Sequence, residues 1–186
     1  MQSELIEANL AQVLKSYQTS FSAKVYGSEN EDHDLLMDIF GISPQLKREN
    51  RQYWGRELGM RWQRTITELC KVTCEDYGPA IQIGKDEPCD LVVGKHAIDT
   101  KYRIGSGDSG TLKKFKAYGP ILQEMGYEPV LLILREDNLP AAIQACIKGG
   151  WNVFTNEGTF EFIRQITGFD LEAFLTQKGP AFEVVR

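Results

Sequence analysis

Two carboxylates and a lysine carry the first chemical signal in this chain. Asp90 closes the run Pro88-Cys89-Asp90, and Asp99 stands two residues before Lys101 in Ile98-Asp99-Thr100-Lys101. On an extended backbone, side chains two positions apart share a face, so Asp99 and Lys101 act at one place. A pair of carboxylates can hold a hard divalent ion, and Mg²⁺ takes one or two of them and completes its shell with water and phosphate oxygens. The carbonyl of Thr100 is a further possible ligand. A lysine beside such an ion can position or deprotonate an attacking water, or balance charge on a five-coordinate phosphorus, while the metal polarises the phosphate. Alone, an acid and a lysine at this spacing equally well make a surface salt bridge.

A competing pattern follows at once. Gly105-Ser106-Gly107-Asp108-Ser109-Gly110 reads G-x-G-x-x-G, which between a strand and a helix cradles a dinucleotide pyrophosphate, and Glu136 lies near where a ribose-binding acid belongs. The preceding strand argues against it. In a dinucleotide fold that strand is central, covered on both faces and nearly all apolar. Here Asp99, Lys101 and Arg103 recur at period two, and burying unpaired charges is costly. The helix start Leu112-Lys113-Lys114-Phe115 also lacks small residues for close packing.

The elements that position these residues are legible in outline. Apolar spacing predicts an amphipathic helix over residues 3–18, then an acidic stretch over 28–34 read as a solvated loop, and a short apolar segment over 35–40. A long helix is expected over 44–74, with Leu58, Trp62, Ile66 and Leu69 on one face, ended by Gly78-Pro79. Strands follow, weakly over 80–83 and more clearly over 89–93 and 97–104, the last two joined by a tight turn at Gly94-Lys95 into a hairpin. A basic helix begins near Leu112, and the continuous apolar run 129–134 reads as a buried central strand. Asn138 is the expected N-cap of a helix with Pro140 in its first turn and Gly149-Gly150 at its end. A strand over 151–154 and helices over 160–166 and 171–175 complete an α/β domain with a mixed β-sheet flanked by helices. Tyr118, Trp151 and Phe154 read as core aromatics.

Composition narrows the class. With 186 residues, 42% hydrophobic and 25% charged, the chain suits a single globular domain. The expected division is an N-terminal helical part over 1–45 and a core over 46–186. The opening residues lack the apolar core of a signal peptide, and no apolar run has membrane-spanning length, so a cytoplasmic protein with no membrane association is expected. The four cysteines lack paired CxxC spacing and read as reduced thiols. A formal net charge of −5 argues against indiscriminate coating of nucleic acid but leaves room for a local basic groove.

The order of parts, helix, Pro88-Cys89-Asp90, Asp99-Thr100-Lys101, basic helix, resembles the PD-(D/E)xK nuclease superfamily, in which P-x-D or P-D opens one strand and D/E-x-K lies on the next. It is most similar to type II restriction endonucleases. The region from Asp99 to about Leu175, including YRIGSGDSGTLKKFKAYG and LREDNLPAAIQACIKGGW, resembles the catalytic region of the ApaLI-like restriction enzymes. The layout is also similar to the small catalytic subunit of heterodimeric type IIS restriction endonucleases.

The resemblance implies a restriction-endonuclease-like fold over 1–186 and a Mg²⁺-dependent DNA endonuclease, with Mn²⁺ able to substitute, leaving 5′-phosphate and 3′-hydroxyl ends. Asp90, Asp99 and the Thr100 carbonyl become metal ligands, and Lys101 the catalytic lysine. A larger endonuclease subunit would recognise the site on double-stranded DNA and cut the other strand. The family usually adds an acid on the preceding helix after G-x-x-aromatic; here Gly59-Met60-Arg61-Trp62 puts Gln63 there. That leaves a neutral ligand at Gln63, or an acid supplied by Glu57 or Glu68. Arg103, Lys113, Lys114 and Lys116 would hold the DNA backbone, and the glycine loop would let the main chain approach phosphate. A homodimeric restriction enzyme, a non-catalytic DNA-associated subunit and a dinucleotide-binding protein are the alternatives.

Overall fold

In the computed structural model, residues 30–105 and 109–178 are described, together with Gln12, Lys15, Ser16, Gln18, Thr19, Ser22 and Phe182. The opening helix expected over 3–18 therefore lies mostly outside the described residues, as do Ser106, Gly107 and Asp108 of the glycine loop. From residue 30 onward the described residues begin with three helices: α1 (Leu35–Ile39), α2 (Pro44–Glu49) and the long α3 (Arg51–Thr73). The chain then runs β1 (Tyr77–Pro79), β2 (Leu91–Val93), β3 (His96–Lys101), α4 (Ser109–Glu124), β4 (Glu128–Ile133), α5 (Pro140–Lys148), β5 (Asn152–Thr155), α6 (Asn156–Thr167) and α7 (Leu171–Lys178).

The strands form one five-stranded mixed sheet in the order β1-β2-β3-β4-β5. β1, β2 and β3 are antiparallel neighbours, whereas β3, β4 and β5 are parallel. Each parallel step needs a crossover, and α4 and α5 supply them. Helices cover both faces, which explains why Val130, Leu131, Leu132 and Ile133 of β4 are all buried. On one face Trp54, Leu58, Trp62, Ile66 and Cys70 of α3 pack at four-residue spacing over Leu91, Ile98 and Leu132. On the other, Phe115 and Leu122 of α4 and Cys146 of α5 pack over Val92, Ala97 and Leu131. There α4 and α5 approach so closely that a Cβ at Gly119 would stand 1.8 Å from the Gly149 carbonyl oxygen.

Several boundaries differ from expectation for identifiable reasons. The helix expected over 44–74 is broken at Asn50, whose side chain accepts from the Tyr53 N–H at 3.0 Å and caps α3. The first strand lies at Tyr77–Pro79, not 80–83, where Ile83 and Asp86 make only an isolated bridge. A proline is tolerated there because β1 is an edge strand. The strand expected over 97–104 ends at Lys101, which leaves Arg103 outside it. Asn138 is not the cap of α5: Leu139 holds that position without a side-chain bond, while Asn138 Oδ1 accepts from Ile104 N at 2.7 Å. The segment 35–40 is a helix, capped by Asp34, which accepts from the N–H groups of Leu36 and Met37. Among the described residues, no helix is long and apolar enough to cross a membrane.

Candidate active site

The hairpin of β2 and β3 sets the two carboxylates side by side. Pairing runs from Val93↔His96 to Leu91↔Ile98, and Asp90 N donates to Ile98 O at 2.8 Å, carrying the ladder one step further. That register sets Asp90 across from Asp99. The Asp90 carboxylate then takes over the main-chain bonding: its Oδ2 accepts from Thr100 N at 2.7 Å and from Thr100 Oγ1 at 2.6 Å. Asp99 and Lys101 project together from the face of β3 opposite the Thr100 side chain, and Lys101 Nζ donates to Asp99 Oδ1. It also donates to the Thr100 carbonyl at 3.1 Å.

These groups line a pocket of about 260 Å³ whose walls include Asp90, Asp99, Lys101, Lys114, Tyr118 and Glu87. Asp99 is 7% exposed. Burial pushes its carboxyl up to about 7; the Lys101 cation opposes this, and the negative charge of Asp90 adds to it. A second carboxylate beside a buried one raises the cost of ionising both, a cost that a cation in the pocket removes. The Lys101 ammonium lies 5.6 Å from the centre of the Phe115 ring, a further constraint on its position.

On α3, Gln63 reaches the site: its Nε2 donates to Asp90 Oδ1 at 2.8 Å. Glu57 faces elsewhere, between Arg56 and Arg61 at 3.5 Å each. Glu68 is exposed on a later turn and is not among the residues lining the pocket. Lys114 lines the pocket and pairs with Asp86 at 3.1 Å, whereas Lys113 and Lys116 are exposed on α4. Arg103 is engaged by Asp137, with Nε 2.9 Å from its carbonyl and 3.1 Å from its Oδ2.

Sequence reasoning passed over Asp86 and Tyr118. Tyr118 is half-buried, and its hydroxyl donates to Asp86 Oδ2 while its ring lines the pocket, so it is not simply a core aromatic. The hydrogen bonds from Tyr118 and Lys114 hold the Asp86 carboxyl below its ordinary range. A signal for both existed: Lys114 and Tyr118 are four apart on one helix face, and Asp86 shortly precedes Pro88. Trp151 also borders the pocket but is buried, and it donates from Nε1 to the Phe115 carbonyl at 2.8 Å.

The acidic stretch is likewise more than a solvated loop. Residues 30–33 are exposed, but Asp34 accepts from Arg135 Nη1 at 2.7 Å and from the Tyr102 hydroxyl. Arg135 is 4% exposed and also donates to Asp137 Oδ1 at 2.7 Å and to the Asp32 carbonyl at 3.1 Å. Buried Lys47 donates to Tyr102 Oη at 2.7 Å. This network ties the segment before α1 to the chain that leaves β3 and β4.

All four cysteines are free. Burial pushes the Cys70 thiol up to about 12 and those of Cys89 and Cys146 up to about 11, which keeps them protonated and unreactive.

Among the described residues, no group of three or more His, Cys, Asp or Glu is arranged to hold a metal ion. Asp90, Asp99, the Thr100 carbonyl and the Gln63 amide oxygen form an all-oxygen set suited to a hard ion that keeps part of its water shell, and Glu87 is also on the pocket wall. The raised Asp99 carboxyl fits such an ion. No family model, curated protein or solved structure matches the chain.

Proposed function

We propose that this chain is a Mg²⁺-dependent DNA endonuclease with the PD-(D/E)xK fold, and that it is the small cleavage subunit of a heterodimeric type IIS restriction endonuclease. The supporting observation is the common pocket of Asp90, Asp99 and Lys101. These are the residues that the sequence motif requires in one place.

Asp90 and Asp99 would hold the ion, with Gln63 and Thr100 fixing the orientation of Asp90 through its two oxygens. When bound, Mg²⁺ supplies polarisation of the scissile phosphate and charge neutralisation. Lys101, held between Asp99 and the Thr100 carbonyl, orients the attacking water and accepts or returns its proton. Lys114, at the pocket wall, contributes positive charge toward the phosphate oxygens. The attacking oxygen forms a bond to phosphorus, the bond to the 3′-oxygen breaks, and the products carry a 5′-phosphate and a 3′-hydroxyl. Recognition of sequence is assigned to a larger partner, consistent with a chain of net charge −5 that offers only local basic surface.

The test is plasmid nicking with Mg²⁺, comparing wild type with Asp99→Asn, each alone and with the product of an adjacent large endonuclease gene. Cutting of one defined strand that needs both Asp99 and the partner is expected. Site-specific double-strand cutting by the chain alone would reassign it as a homodimeric enzyme. Absence of Asp99-dependent cutting under every condition overturns the nuclease reading.

A further inference from the structure

Beside the catalytic pocket, between α3 and the end of β3, lies a second concavity of about 500 Å³. Its lining brings together Arg51 and Arg56 from α3 with Lys101 and Arg103 from the end of β3, and among the described residues no carboxylate lines it. On a chain of formal net charge −5 this is a locally basic surface. Lys101 and Gln63 belong to its wall and also touch Asp99 and Asp90, so the groove opens directly onto the candidate active site.

The floor of the groove is formed by two glycines whose presence the packing does not require. Gly55 and Gly59 lie inside the 23-residue helix α3, where glycine weakens a helix through its backbone entropy. Close packing against another element is the usual compensation. A Cβ at Gly55 would meet nothing within 4 Å, and one at Gly59 would make only an ordinary 3.7 Å contact with Tyr102 Cβ. Arg51, Gly55, Gly59 and Gln63 recur at four-residue spacing and form one row along the helix. Twelve residues of helix rise roughly 18 Å, about five nucleotide steps of B-DNA at ~3.4 Å each.

We propose that this groove holds the DNA backbone adjoining the phosphate to be cut, with Arg51 and Arg56 contacting phosphates and Gly55 and Gly59 leaving room for the strand to approach α3. The proposal rests on the nuclease reading and extends it: the strand crosses the end of β3 from this groove toward Lys114. Phosphate contacts of this kind position the substrate without reading its sequence.

The test uses the full chain carrying Asp99→Asn, so that binding is read without cutting, and a labelled mixed-sequence duplex followed by fluorescence anisotropy from 50 to 200 mM salt. Adding Arg51→Gln with Arg56→Gln is expected to weaken binding on the order of tenfold and to reduce the salt slope by about 1.8, the loss of two phosphate contacts. Adding Gly55→Leu is expected to weaken binding similarly while the Tm stays level or rises, because leucine favours helix and its Cβ meets nothing within 4 Å. Arg64→Gln with Lys71→Gln, exposed cations on α3 outside the groove, is the charge control and should change binding little. Unchanged affinity and salt slope in the arginine variant, or unchanged affinity in Gly55→Leu, overturns the groove. Failure of the Asp99→Asn parent to bind duplex also overturns it. Asp99-dependent nicking by the otherwise unaltered chain is scored separately, so the nuclease reading stands or falls on its own.

Discussion

Gln63 Nε2 donates to Asp90 Oδ1 at 2.8 Å, so a neutral amide on α3 meets one of the two hairpin carboxylates. The bond ties the long helix to the strand pair that carries Asp99 and Lys101. It also orients Asp90, whose other oxygen is held by Thr100.

Gln63→Glu should convert this site into a three-carboxylate set. Without metal, the added charge beside Asp90 is unfavourable and the Tm is expected to fall. With Mg²⁺ or Mn²⁺, affinity should rise, because each added carboxylate strengthens a hard-ion site. Isothermal titration of wild type and variant, each first stripped with EDTA, measures the difference. Equal or weaker metal affinity in Gln63→Glu would separate Gln63 from the proposed metal site.

The raised Asp99 carboxyl predicts a pH dependence of metal-free stability with a definite sign. Its pKa is about 7 in the fold against an ordinary 3.8, so between these values the native protein retains a proton that the unfolded chain has released. Stability from this group is therefore complete below the unfolded value and is lost as pH rises through about 7. Asp99→Asn should remove that decline, which is of the order of a few kcal/mol. Urea denaturation at acidic and mildly alkaline pH, with and without Mg²⁺, reads the effect, and Mg²⁺ should restore wild-type stability at the higher pH.

Thr100→Val keeps the shape of a buried side chain and removes the hydroxyl that donates to Asp90 Oδ2 at 2.6 Å. Loss of a hydrogen bond to a charged acceptor should cost about 1.5 kcal/mol. Nicking activity should also fall, because the main-chain N–H of Thr100 alone then holds that oxygen. A denaturation midpoint and nicking rate both equal to wild type would remove Thr100 Oγ1 from the positioning role.

Arg135→Ala is expected to be the most damaging of these changes. Arg135 is 4% exposed and bridges Asp34 and Asp137, so its removal leaves two poorly solvated carboxylates without their cation. Breaking a buried ion pair from one side costs about 3–5 kcal/mol. Equilibrium denaturation tests this, and Arg135→Met, which restores much of the lost volume, should not recover the loss.

Patterning local to the chain was enough for the hairpin, the central strand and the motif, but it placed the first strand at 80–83 where the chain pairs at Tyr77–Pro79. The continuous apolar run containing Leu131 and Leu132 marked a strand buried on both faces, and the turn at Gly94 joined the two strands that carry Asp90 and Asp99. The shared face of Asp99 and Lys101 was also visible, since period two on a strand needs no knowledge of other elements. Boundaries were less legible where one side chain decided them, as Asn50 does by capping α3 and Asn138 does by bonding Ile104 instead of capping α5.

Which helix residue meets the carboxylates depended on the rotation of α3 about its axis. The row of Trp54, Leu58, Trp62 and Ile66 packs against the sheet, and that packing turns Gln63 toward Asp90 and Glu57 toward Arg56 and Arg61. The alliance of Asp34 with Arg135 joins residues 101 positions apart, and the groove between α3 and the end of β3 joins separate elements in the same way. The sequence by itself determined the central strand, the hairpin and the acid-x-lysine spacing, because these follow from periodicity and turn chemistry within a few residues. Tertiary structure alone decided the helix partner of Asp90, the buried Arg135 network and the basic groove, because each depends on how distant segments pack together.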